Sequence, residues 1–171
     1  MLMTTPQTIS TYNYQDIIRI SNGEYFGPDA GKLPLPGMLM FDRITSVTED
    51  GGKYGKGQLI AELDINPDLW FFKCHFKDDP VMPGSLGFDG MLQLTGFFLN
   101  HMGFKGKGRA LGCETIKFFG EVLPVNKVVT YVIDIKRILN LKMTMVISDG
   151  YLSVDDKKIY TCEGMKVALI T

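Results

Sequence analysis

The longest apolar pattern in the chain runs from Ser85 to Met102, SLGFDGMLQLTGFFLNHM, with neither the alternation of a strand nor the single stripe of a surface helix. Its length suits a helix, and Pro83-Gly84-Ser85 supplies the opening. A helix resting on one sheet face would show a polar half, so this one must be enclosed. A shorter amphipathic helix is expected near residues 13 to 21, where Tyr14, Ile17 and Ile18 fall at i, i+3 and i+4 before an Asn22-Gly23 stop.

Elsewhere the pattern changes to that of strands. GPDAGKLPLPG holds too much Pro and Gly for a regular element and reads as an ordered loop feeding MLMFDRITSVTE, which ends at Asp50-Gly51-Gly52. KGQLIAELDI follows across DGGKYG, as in an antiparallel hairpin. ALGCETIKFFGEVL, KVVTYVIDIKRI, KMTMVISDGYLSV and KIYTCEGMKVALI also read as strands, with alternation clearest at Val129, Tyr131, Ile133 and Ile135. GKGRALG reads as a turn. About six strands and one long helix imply an α+β fold, an antiparallel sheet packed around a helix. With no repeat, low-complexity segment or linker, residues 1–171 are expected to form a single domain, and residues 1–30 an N-terminal helix and loop extension.

Composition narrows the class. A chain of 171 residues can bury roughly 70% of the surface its unfolded form exposes, so it needs no staples. With 45% hydrophobic residues and a formal charge of −1, it lacks the basic excess of nucleic-acid binders. MLMTTPQTISTYNYQD has neither a basic region nor a continuous apolar one, so a cytoplasmic location without a secretory signal is expected. The long helix approaches the roughly 20 residues that cross a bilayer, but Asp89, Gln93, Asn100 and His101 argue against insertion. Cys74, Cys113 and Cys162 are odd in number and widely spaced, which favours reduced structural thiols over a disulfide framework or zinc site.

Candidate chemistry gathers in HFKDDPVMPGSLGFDGM, His75 to Met91. Asp89 sits among Leu86, Phe88, Met91 and Leu92, where an unpaired carboxylate costs several kcal/mol and the charged form is disfavoured. The helix start offers free N–H groups for an oxyanion or a polarised carbonyl. A His, a carboxylic acid and backbone donors suffice for proton transfer next to a carbonyl, including β-elimination of water. Two bland readings stand beside this one: Asp89 as a helix-dipole partner, and His75 as a core histidine satisfied by backbone. His101 can simply favour the negative helix end. A Cys74–His75 nucleophile pair is disfavoured because neighbours in an extended segment point to opposite sides. No P-loop, dinucleotide, HExxH or EF-hand pattern occurs, so neither metal nor nucleotide cofactor is expected. Lys136, Arg137, Lys142 and Lys166 read as a solvated face or a patch for an acidic partner.

The run DINPDLWFFKCHFKDDPVMPGSLGFDGMLQL, with MLMFDRI before it and GKGRALG and KFFGEVLP after it, closely resembles the bacterial β-hydroxydecanoyl-(acyl carrier protein) dehydratase/isomerases from about Gly23 to the end. The resemblance implies a hot-dog fold, a long central helix wrapped by a curved antiparallel sheet, in a homodimer with active sites at the interface. It implies that His75 and Asp89 are the catalytic pair from different subunits, that the Gly84 N–H polarises the thioester carbonyl, and that Arg137, Lys142 and Lys166 contact an acyl carrier protein. The implied substrate is a medium-chain (3R)-hydroxyacyl thioester, with no nucleic acid and no membrane as partner. A related dehydratase-only branch usually carries Glu at the Asp89 position, so this chain sides with the bifunctional branch. Leu92 occupies a position often held by Trp, which bears on chain-length preference. A hot-dog acyl thioesterase, a dehydratase without isomerase activity and a non-catalytic acyl-carrier binding module are the rival readings.

Overall fold

The computed structural model describes residues 10–171. Residues 1–9, which include most of the segment read for a secretory signal and the start of the expected extension, lie outside that range. A short strand β1 (Ser10–Tyr12) leads into helix α1 (Tyr14–Ser21), whose start is closed by a reciprocal pair. Asn13 accepts from the Asp16 N–H, and the Asp16 carboxylate accepts from the Asn13 N–H. β2 (Arg43–Thr48) and β3 (Gln58–Asp64) form the expected hairpin. Helix α2 (Gly84–His101) is followed by β4 (Lys107–Gly112), β5 (Thr115–Phe118), β6 (Val128–Asn140), β7 (Thr144–Val154) and β8 (Lys157–Ile170).

The eight strands make one antiparallel sheet in the order β1-β2-β3-β6-β7-β8-β4, with β5 also paired to β8. Register shifts at Ile135/Arg137 in β6 and at two places between β7 and β8 bend the long strands. The sheet curves around α2, which packs on β8, β7 and β6. The alternation of β6 holds: Val129, Tyr131, Ile133 and Ile135 are fully buried toward the helix. Asp134, on the other face, is also buried. The β2–β3 loop folds over it, and its carboxylate accepts from the Lys53 N–H and from Gln58.

Three expectations need correcting. GKGRALG is not a turn: Lys107–Gly112 is strand β4, held by pairing with β8, with positive φ at Gly106 ahead of it and at Gly112 where it ends. Its glycines hid the alternation that marks a strand. ALGCETIKFFGEVL is two strands, β4 and β5, broken at Cys113-Glu114 and ending at Phe118. MLMFDRITSVTE pairs only from Arg43 onward, because Met38 and Met40 are tied to the helix, as described below.

Enclosure of α2 is nearly complete, with Ser85 its one exposed residue. Glycines cost a helix interior about 1 kcal/mol each relative to Ala. Here they let the helix touch aromatic rings of the sheet. A Cβ on Gly84 would meet Phe118 Cε1 at 2.9 Å, on Gly87 Tyr160 Cε2 at 2.6 Å and on Gly90 the Tyr131 hydroxyl at 2.7 Å. Tyr131 cannot retreat easily, since its hydroxyl donates to the Met40 carbonyl at 2.7 Å in a fully buried setting. Gly90→Ala is therefore expected to lower stability by about 1–3 kcal/mol despite its better helix propensity, read as a shifted chemical-denaturation midpoint.

Cys113 and Cys162 place their Sγ atoms 3.3 Å apart, and burial pushes the Cys162 thiol well above its ordinary range. All three cysteines are free thiols. Among the described residues no helix is long and apolar enough to cross a membrane.

Candidate active site

His75 closes a tight loop. Trp70–Lys73 form a 3-10 turn, the His75 N–H donates to the Phe71 carbonyl at 2.9 Å, and the Val81 N–H returns to the His75 carbonyl at 2.8 Å. Within the loop the Phe76 and Asp79 backbones bond each other, and the His75–Phe76 peptide is cis. The imidazole lies against the Phe76 ring, centroids 3.7 Å apart, and its Nδ1 is 2.9 Å from the Val81 carbonyl. A carbonyl can only accept, so Nδ1 carries a proton, and in the neutral ring the lone pair is on Nε2. His75 is half-buried, and Nε2 has no protein partner among the described residues, so the reading of a histidine satisfied at both nitrogens is not met.

Pro83 precedes α2 without a side-chain cap. The Met82 N–H bonds the Val122 carbonyl at 3.0 Å, and the Leu86 and Gly87 N–H groups reach back to the Pro83 carbonyl. Among the described residues the Gly84 and Ser85 N–H groups have no acceptor. His75 and Gly84 line one open cavity of about 330 Å³, with Val81, Met82, Phe118 and Tyr160 among its walls. A polarised oxygen placed there meets the positive end of α2 and a basic imidazole nitrogen together.

Asp89 lies elsewhere. It falls beyond the first turn of α2, which holds no acidic residue, and its Oδ2 accepts from Gln93 Nε2 at 2.6 Å instead of capping the helix. The same Gln93 nitrogen donates to the Met38 carbonyl at 2.7 Å, and its Oε1 accepts from the Met40 N–H at 3.1 Å. Gln93 thus holds Asp89 against the Met38–Met40 segment, a positioning role not recognised from the sequence, although its i+4 spacing from Asp89 was the available signal. Asp89 lines a different cavity from His75, one of about 200 Å³ shared with Leu92, Gly96, Phe97 and Asn100. Within one chain the structure therefore puts His75 with Gly84 and sets Asp89 apart.

The other candidates are placed as follows. Cys74 is exposed at the end of the 3-10 turn rather than in an extended segment, its Sγ 3.7 Å from the Trp70 and Phe71 carbonyls. Arg137 and Lys166 both register with Ile147 across β6, β7 and β8, so they share a sheet face. Lys166 Nζ is 3.8 Å from Glu114. Lys142 is exposed in the β6–β7 turn. Among the described residues no group of three or more His, Cys, Asp or Glu is disposed to hold a metal ion.

The sequence profile of the FabA-like domain matches residues 33–163, a span that includes His75, Gly84, Asp89 and strands β2 to β7. This chain belongs to the FabA-like family. Its fold is the hot-dog fold expected from the sequence. The dehydratase heterocomplex ApeI:P from Xenorhabdus doucetiae is similar over 80% of this chain and 86% of that one, with 12% identity and a TM-score of 0.58. An uncharacterised protein from Pyrococcus horikoshii is similar over 79% and 87%, with 9% identity and a TM-score of 0.53. At such identities the likeness is one of fold.

Proposed function

We propose that this FabA-like protein dehydrates medium-chain (3R)-hydroxyacyl-(acyl carrier protein), of about ten carbons, to the trans-2-enoyl thioester and isomerises that product to the cis-3-enoyl form, in unsaturated fatty acid biosynthesis. The observation carrying this reading is the single pocket lined by His75, whose Nε2 has no protein partner among the described residues, and by Gly84, whose N–H has no acceptor among them. The thioester carbonyl accepts from Gly84 while His75 takes the C2 proton, and negative charge moves onto the carbonyl oxygen as an enolate. Asp89 then protonates the departing C3 hydroxyl, which leaves as water. Isomerisation moves a proton from C4 to C2 with the same two side chains.

Because His75 and Asp89 line separate cavities of one chain, the working site is a homodimer site, with Gly84 and His75 from one copy and Asp89 from the other. β4 supports that assembly. All six of its residues are exposed and it pairs with β8 on one side only, an open sheet edge beside the Asp89 cavity. Arg137, Lys142 and Lys166 are assigned to the acidic carrier, whose approach the shared face of Arg137 and Lys166 suits. The protein acts in the cytoplasm without a metal or organic cofactor.

Incubation with (3R)-hydroxydecanoyl thioester and separation of the products tests the reading. Both trans-2 and cis-3 enoyl thioesters are expected. Trans-2 alone reduces the activity to dehydration, and free acid with released thiol transfers the site to a thioesterase in which Asp89 activates water.

A further inference from the structure

The proposed chemistry uses none of the three thiols, and two of them meet where the chain changes strand. β4 ends with Gly112 opposite Lys166, β5 begins with Thr115 opposite Glu163, and Cys113 sits in the break between them. The Glu114 N–H donates to the Glu163 carbonyl at 3.0 Å, so the break stays attached to β8. Cys162 belongs to β8, in register with Ile116 on one side and Gly150 on the other, and is buried in the core. Cys113 is half-buried, and its Sγ lies 3.3 Å from the Cys162 Sγ. At that distance the sulfurs touch with no atom between them, and an approach of about 1.3 Å reaches the length of a disulfide bond.

The two sulfurs are not equivalent. Cys113 is the more exposed, so an oxidant meets it first. Burial raises the Cys162 thiol above its ordinary range, which keeps it protonated and inert until a reactive sulfur forms beside it. Cys74 supplies a contrast within the same chain: it is exposed, and its Sγ meets the Trp70 and Phe71 carbonyls rather than another sulfur.

We propose that Cys113 and Cys162 form a reversible oxidation site, which a peroxide converts to an intrachain disulfide that braces β5 against β8. The Cys113 thiolate attacks one peroxide oxygen; an S–O bond forms, the O–O bond breaks, and the released hydroxide takes the proton shed by the thiol to leave as water. The Cys162 sulfur then attacks the Cys113 sulfur; the S–S bond forms, the S–O bond breaks, and a second water carries off the Cys162 proton. Two electrons pass from the thiols to the peroxide, and a small dithiol returns them by exchange. The bond joins positions 49 apart in the chain, which restricts the unfolded state. It also lies two positions along β8 from Tyr160, whose register partner on β5 is Phe118, and both rings line the His75 cavity.

Brief treatment of the full chain with hydrogen peroxide, followed by peptide mapping without reduction, tests the site and needs no turnover, so it stands whichever reaction the His75 cavity performs. A linked pair of peptides carrying Cys113 and Cys162 is expected from protein that runs as a single chain in non-reducing electrophoresis. The thermal midpoint should rise by about 5 °C or more, and dithiothreitol should reverse both changes. Cys113→Ser is expected to abolish the link and the rise together. Cys162→Ala should do the same and carries the test if the first variant fails to fold. Oxygen added to Cys113 without a link, a link to Cys74 or between two chains, or a linked chain whose midpoint does not rise overturns the proposal.

Discussion

Asp89→Asn is expected to fold normally and to lose about 100-fold or more of its turnover. The amide is nearly isosteric, and its carbonyl oxygen can keep the 2.6 Å contact from Gln93 Nε2. The position of Oδ1, which has no protein partner among the described residues, would then hold an NH2 group. Such a group donates a hydrogen bond but cannot release a proton to a leaving hydroxyl. The check pairs kcat on hydroxydecanoyl-N-acetylcysteamine with a denaturation midpoint. Unimpaired kcat removes Asp89 from the chemistry. A purely structural role would instead show as a stability loss of about 0.5 to 2 kcal/mol with turnover intact.

His75→Gln is expected to reduce turnover by about 10² to 10⁴-fold. Gln can replace the Nδ1–H donor to the Val81 carbonyl but offers no basic nitrogen where Nε2 stands. If His75 only braces its loop, kcat stays near normal and the change appears in unfolding, at about 1 to 3 kcal/mol for a disturbed buried hydrogen bond. The two dead variants together give a sharper result. In a randomly mixed dimer population one chain supplies His75 and the other Asp89, so about a quarter of full activity should return on mixing. No recovery after verified subunit exchange would place both residues in one chain's site and refute the shared one.

The helix was legible because α2 breaks the usual amphipathic rule, and only enclosure explains apolar residues on every side. β6 was legible because alternation survives even where Asp134 is covered. β4 was not: three of its neighbouring glycines carry no pattern, and its strand state comes from β8, distant in sequence. The break between β4 and β5 had the same cause. At the site, motif residues His75, Gly84 and Asp89 were evident, but not their division between two cavities, which depends on how α2 sits in the sheet. Gln93 had a local signal.

The glycines of α2 give its two flanks separate duties. Gly84, Gly87 and Gly90 fix the height of the helix by contact with Phe118, Tyr160 and Tyr131, whereas Asp89, Leu92, Gln93 and Gly96 border the cavity. Substitutions at Leu92 or Gly96 can widen or shorten that cavity while the rings still hold the helix start, and with it the Gly84 donor, in place. Under the proposed function, substrate length is then open to change at Leu92 and Gly96, with Asp89 and its Gln93 partner the residues of that flank that the chemistry holds fixed.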